Sequence, residues 1–113
     1  MMTVKNDSAM IKNLSFMGRR MEIVARLRKL LSEKYVSSCS VWAFLVPLDK
    51  ESLRFISTIA LAGHLNVGFE DESFDDLSTY SKKDFIEYIV STYKTLGADL
   101  EGGVSRLACE CAA

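Results

Sequence analysis

Apolar residues recur at three- and four-residue steps from the start of the chain. Met10, Leu14, Met17, Met21, Val24, Leu27 and Leu31 fall on one face of a helix. This predicts a helix from about Ser8 to Lys34, with Gly18 bending or dividing it. Lys12, Arg19, Glu22, Arg26, Lys29 and Glu33 take the other side. Glu22 precedes Arg26 by four, the favourable order for a helical ion pair.

The period then changes. Cys39-Ser40-Val41-Trp42-Ala43-Phe44-Leu45-Val46 is short, rich in β-branched and aromatic residues and closed by Pro47, which reads as a strand. Being apolar on both faces, it is expected to be covered on both sides. Leu53 to Ala62 is ambiguous. Ile56, Thr58 and Ile59 are poor helix formers and lean it towards a second strand. The alternative is a helix capped by Asp49, stapled by Leu48 and Leu53 and ended by Gly63. Leu65-Asn66-Val67-Gly68-Phe69 alternates as a further strand.

Near residue 81 the signal is local and specific. Ser81 is a helix cap, Asp84 its capping-box partner, and Tyr80 and Phe85 hold the staple positions. That helix carries Phe85, Ile89, Tyr93 and Leu96 and is predicted to stop at Gly97. After Gly102-Gly103, Val104 to Cys111 reads as a last strand. Strands flanked by helices predict an α+β fold over residues 1–113 as one domain: a long N-terminal helix and a second helix packed on a small, mostly antiparallel sheet.

Composition adds little to this. Hydrophobic residues make up 49% and charged residues 26%, as in a globular protein. No stretch approaches the roughly 18 apolar residues that span a bilayer. The start, Met1 to Asp7, lacks the apolar core of a signal peptide. Cys39, Cys109 and Cys111 are an odd number, so reduced thiols and a cytoplasmic location are expected.

Charge distribution changes the picture more. Net charge is −1. Yet residues 1–34 hold eight basic side chains against three acidic ones, while residues 70–76 hold Glu70, Asp71, Glu72, Asp75 and Asp76 with no base.

Several chemistries can be weighed on these residues. Cys109 and Cys111 on a strand would share a face, and Cys39 and His64 would complete four zinc ligands, but the spacing is not that of a zinc knuckle, so small-hydrophobe packing is preferred. His64, with Cys39 or Ser40 as nucleophile, has no signature of a catalytic set. The acidic run lacks the central glycine and closing glutamate of a calcium loop. No cofactor and no membrane is implied.

What remains is recognition. Five carboxylates in seven residues raise association rates with cationic surfaces, and Phe74 among them would supply an aromatic anchor. The preferred expectation is a non-enzymatic protein-binding module, a stoichiometric inhibitor or immunity-type protein. Glu70, Asp71, Glu72, Phe74, Asp75 and Asp76 would engage a basic protein partner such as a toxin or nuclease. Neutralising the five acids should then slow association and leave stability nearly unchanged. One alternative is a ligand-sensing domain with Trp42, Phe44, Phe55 and Phe69 around a pocket. Nucleic-acid binding through Arg19, Arg20, Arg26, Arg28 and Lys29 is disfavoured, because acids interrupt the basic face.

Overall fold

Where the sequence pattern predicts a sheet, the chain is helical. The structure is a computed structural model that describes residues 14–112, and no strand occurs among them. Its elements are α1 (Leu14–Leu31), α2 (Ser38–Leu45), α3 (Lys50–Leu65), a 3-10 segment (Glu72–Thr79), α4 (Lys82–Ser91) and α5 (Tyr93–Ala112). The α+β expectation is therefore corrected to an all-helical architecture over the described residues.

The predicted first helix is present. Its expected start near Ser8, with Met10 on the apolar face, lies outside the described residues. From Leu14 it runs without a break through Gly18 to Leu31. Val24 and Leu27 are buried, with Met21 and Leu31 packed at the edge of the core. Arg26 extends its guanidinium over the Phe44 ring, 6.0 Å from the centroid, instead of pairing with Glu22. Arg28 and Lys29 fall in the last turn, where cations complement the helix dipole.

Residues 39–46, predicted as a strand, form α2 and its C-cap. Ser37 is the N-cap, its hydroxyl accepting from the Ser40 N–H at 3.2 Å. Val41 and Leu45, one turn apart, are buried. Pro47 follows the helix, a stop signal that suits a helix as well as a strand.

For residues 53–62 the strand expectation is also overturned. They lie within α3, which buries Leu53, Phe55, Ile56, Ile59, Ala60 and Ala62 around most of its circumference. β-Branched residues cost a helix less than about 0.7 kcal/mol each, whereas full burial of such a side chain stabilises by about 1.5–3 kcal/mol. Burial wins. Asp49 holds the N-cap position with extended backbone, and its carboxylate meets the buried Arg20 of α1 at 3.5 Å.

Gly63 does not end this helix. The chain continues to Leu65 and turns at Asn66, which is left-handed (φ 56°) and whose N–H donates to the Ala62 carbonyl. Asn tolerates that conformation better than most residues. The Arg106 guanidinium donates to the Asn66 carbonyl at 3.3 Å and to its Oδ1 at 3.0 Å, holding the turn against α5. The predicted strand over 65–69 is this turn.

Gly63 serves another purpose. The α3–α5 contact is the most extensive in the molecule. A Cβ at position 63 would overlap the Asp99 carbonyl oxygen, and one at 103 would overlap that of Ile59. The two helices touch backbone to backbone. That contact explains why α5 passes through Gly102 and Gly103, predicted as a turn, and why 104–111 is helix and not strand; at Gly97, predicted as a stop, the helix runs on.

The capping box is as predicted. The Ser81 N–H donates to Asp84 Oδ2 at 2.9 Å, and the Asp84 N–H donates to Ser81 Oγ at 3.1 Å. The Tyr80 and Phe85 rings lie 5.2 Å apart, completing the staple. The helix ends earlier than expected, at Ser91, and Thr92 breaks it with its hydroxyl donating to the Ile89 carbonyl at 3.0 Å. Tyr93 and Leu96 consequently belong to α5. No helix among the described residues is long and apolar enough to cross a membrane.

Candidate interaction surface

The acidic run folds as the 3-10 segment and the turn before it. A 3-10 helix has three residues per turn, so positions 74, 77 and 80 share one face. Phe74 and Leu77 are buried on that face, and the Phe74 ring lies 6.0 Å from that of buried Phe69. Phe69 is fixed in turn by its N–H, which donates to Glu110 Oε2 of α5 at 3.2 Å. Asp71 caps the segment, accepting from the Ser73 N–H at 2.8 Å and hydroxyl at 2.6 Å. Those two bonds, the hydroxyl's first, hold its carboxyl below the usual carboxylate range.

At eight residues the segment exceeds the usual 3-10 length of about three to four residues. Side-chain hydroxyls support its far end: Ser78 donates to the Asp75 carbonyl at 2.9 Å and Thr79 to that of Asp76 at 2.7 Å. Glu70, Glu72, Asp75 and Asp76 are exposed, and none forms an ion pair among the described residues. Four of the five basic side chains of α1 have other neighbours. Arg20 meets Asp49, Arg26 covers Phe44, and Arg28 and Lys29 line an open groove facing Glu101 of α5.

Of the residues singled out in the sequence, then, four carboxylates stand on one exposed, internally pinned segment. Asp71 has a capping role in addition. Phe74 is 5% exposed, and its ring is turned into the core instead of being offered to a partner.

The remaining candidates separate. Cys39 and Cys109 are free and exposed on α2 and α5. The stretch around Cys109 is helix, so the shared strand face is lost, and the Cys111 side chain lies outside the described residues. Among the described residues no group of His, Cys, Asp and Glu could hold a metal ion. Of the pocket aromatics, Phe55 and Phe69 are core residues, Phe44 is half-buried and Trp42 is exposed, so the set is divided between interior and surface.

One polar cluster was not visible in the sequence. His64 Nδ1 lies 3.4 Å from Oδ1 of buried Asp99, and the Thr95 hydroxyl donates to the other carboxylate oxygen at 3.1 Å. A carboxylate that orients a histidine is part of a general-base arrangement. Neither Cys39 nor Ser40 hydrogen-bonds this histidine; the Ser40 hydroxyl is 3.2 Å from that of Ser37. The cluster therefore ties α3 to α5 beside their glycine contact. His64 lies 35 residues from Asp99 in the chain, and no local pattern links the two.

Tyr88 borders this cluster. Burial pushes its hydroxyl up to about 12, with the Asp99 charge adding to the effect. The neutral phenol is the form the fold favours, so its contribution is complete below the unfolded pKa of about 10 and is lost as pH rises towards 12. Urea midpoints are expected to fall above pH 10, and Tyr88→Phe should fall less over the same range. Identical pH profiles for the two proteins would refute this account of Tyr88.

No family model matches the chain, nor does any curated protein or solved structure.

Proposed function

We propose that this chain is a non-enzymatic, cytoplasmic protein-binding module that presents its acidic 3-10 segment to a basic site on a partner protein. A stoichiometric inhibitor or immunity-type protein acts in this way, by occluding the site. One observation carries the reading. Glu70, Glu72, Asp75 and Asp76 are exposed and unpaired among the described residues, on a segment pinned by Phe69, Phe74 and Leu77.

Free carboxylates of one sign steer a cationic partner and accelerate encounter. A segment already ordered loses less conformational entropy when the partner arrives. In such a complex the carboxylates would take the place of the phosphates or acidic side chains that a basic site binds.

The variant Glu70→Gln/Glu72→Gln/Asp75→Asn/Asp76→Asn tests this, with Asp71 retained because it caps the segment. Its unfolding midpoint is expected to match that of the wild type. Capture from the source organism's lysate at low salt should retain a basic protein on the wild type, release it at raised salt and lose it with the variant. Association with that protein should slow by about tenfold or more at low salt, with the difference shrinking as salt screens it. Retention of the same protein by the variant at an unchanged on-rate would rule the reading out.

A further inference from the structure

From Tyr35 to Leu48 the chain carries no charged side chain, and α2 lies within this stretch. One face of α2 does the packing, through Val41 and Leu45. The flank about 100° round the helix is apolar as well: Trp42 is 44% exposed and Val46, one turn on, 43% exposed. This flank is open to solvent.

The opening has a shape and a charge. Trp42 and Val46 of this region and Ile86 of α4 line a groove whose remaining lining is Lys82 and Lys83. Both lysines stand in the first turn of α4, the end of a helix where a cation is disfavoured by the dipole. Asp84 is the one acid in that turn; its carboxylate accepts from the Ser81 N–H and offsets part of the Lys83 charge, leaving the two lysines in excess. Two ammonium groups and a helix N-terminus thus place positive potential over an apolar groove.

We propose that this groove docks an acidic amphipathic segment of a partner protein, its apolar side chains seated on Trp42, Val46 and Ile86 and its carboxylates meeting Lys82 and Lys83. The surface shares no residue with the acidic 3-10 segment and stands apart from the reading of that segment. Charge selects this occupant over the others. Residues 1–13 carry Lys5 and Lys12 against Asp7, the wrong sign. The acidic segment of a second copy has its apolar residues, Phe74 and Leu77, turned inward. An anionic lipid surface is held by clusters of roughly four to eight basic residues, and two lysines beside a concave groove fall short of that.

Trp42 is the only tryptophan of the chain, so its emission reports directly on the groove. The full chain is used to select from a displayed library of random peptides, with the Trp42→Ala chain as counter-target. Enriched sequences are expected to pair aliphatic or aromatic residues with Asp and Glu. A synthetic peptide of that sequence should shift Trp42 emission to the blue. Lys82→Glu/Lys83→Glu should weaken its binding by about tenfold, two attractions becoming two repulsions. The same variant should melt no lower than wild type, since carboxylates suit the first turn of a helix. Several outcomes would overturn the proposal: no enrichment above the counter-target, enrichment of basic or uncharged sequences, or unchanged affinity in the lysine variant. So would a blue shift produced by phosphatidylserine vesicles and not by the peptide, or emission of the free chain that shifts with its own concentration.

Discussion

Alanine at Gly103 is expected to destabilise the chain by at least about 3 kcal/mol, the upper end of what overpacking costs. Its Cβ would overlap the Ile59 carbonyl oxygen and would lie 2.7 Å from the Ile59 Cγ2. Backbone is the obstacle here, and backbone within a helix cannot rotate aside as a long side chain can. The helices must separate, and separation opens the packing of Ile59, Leu100 and Leu96, all fully buried. Gly63→Ala should have a similar effect, because its Cβ would overlap the Asp99 carbonyl and stand 2.7 Å from the Gly103 nitrogen. The double variant should cost less than the sum, since one separation relieves both clashes. Gly18 and Gly97 serve as controls. A Cβ at 18 meets nothing within 4 Å, and one at 97 meets only the Leu31 Cβ at 4.0 Å. Alanine at either should stabilise by about 0.5–1 kcal/mol, as it does in an unobstructed helix. Urea unfolding of the four single variants decides the matter. Equal shifts for positions 97 and 103 would show that α3 and α5 do not meet backbone to backbone.

Phe74→Ala is expected to cost about 3–5 kcal/mol, the range for deleting a buried aromatic ring. This prediction separates two accounts of one residue. As a surface anchor, Phe74 would be removable with a loss of binding and no loss of stability. As a core residue packed on Phe69, its loss leaves a cavity beneath the acidic segment. Amide exchange over Glu72–Thr79 should then accelerate, since Phe74 and Leu77 are the segment's buried residues. Phe74→Leu fills part of the cavity and should recover part of the stability. Association with a basic partner should follow the order of the segment: near wild type for the leucine variant and slower for alanine, with the carboxylates unchanged in both. An alanine variant as stable as wild type would return Phe74 to the surface.

Much of the helical detail was legible locally. The capping box at Ser81 and Asp84 and the staple of Tyr80 and Phe85 need only residues close in sequence, and both are present. The apolar stripe through Met21, Val24, Leu27 and Leu31 marked α1 because one face of it is buried and the other is wet. The middle of the chain misled for a physical reason. Periodicity identifies an element when solvent lies on one side of it, and α3 is enclosed by α1, α4, α5 and the 3-10 segment. Its residues are apolar on most faces, so the period disappears, and β-branched content then points to a strand. The acidic run failed differently. Its composition was plain, but three residues per turn, not two or 3.6, decides that Phe74 faces inward while Glu72, Asp75 and Asp76 face water.

The sequence by itself determined the first helix, the cap that starts α4 and the separation of basic and acidic regions. These depend on neighbours within a turn or two of chain, or on composition. Only the tertiary structure decided that residues 39–45 and 53–62 are helical, that Gly63 and Gly103 join α3 to α5, and that His64 meets Asp99. Each of these depends on surface buried, or space denied, between residues far apart in the chain. A glycine reads as a helix breaker until a second helix occupies the place of its missing side chain.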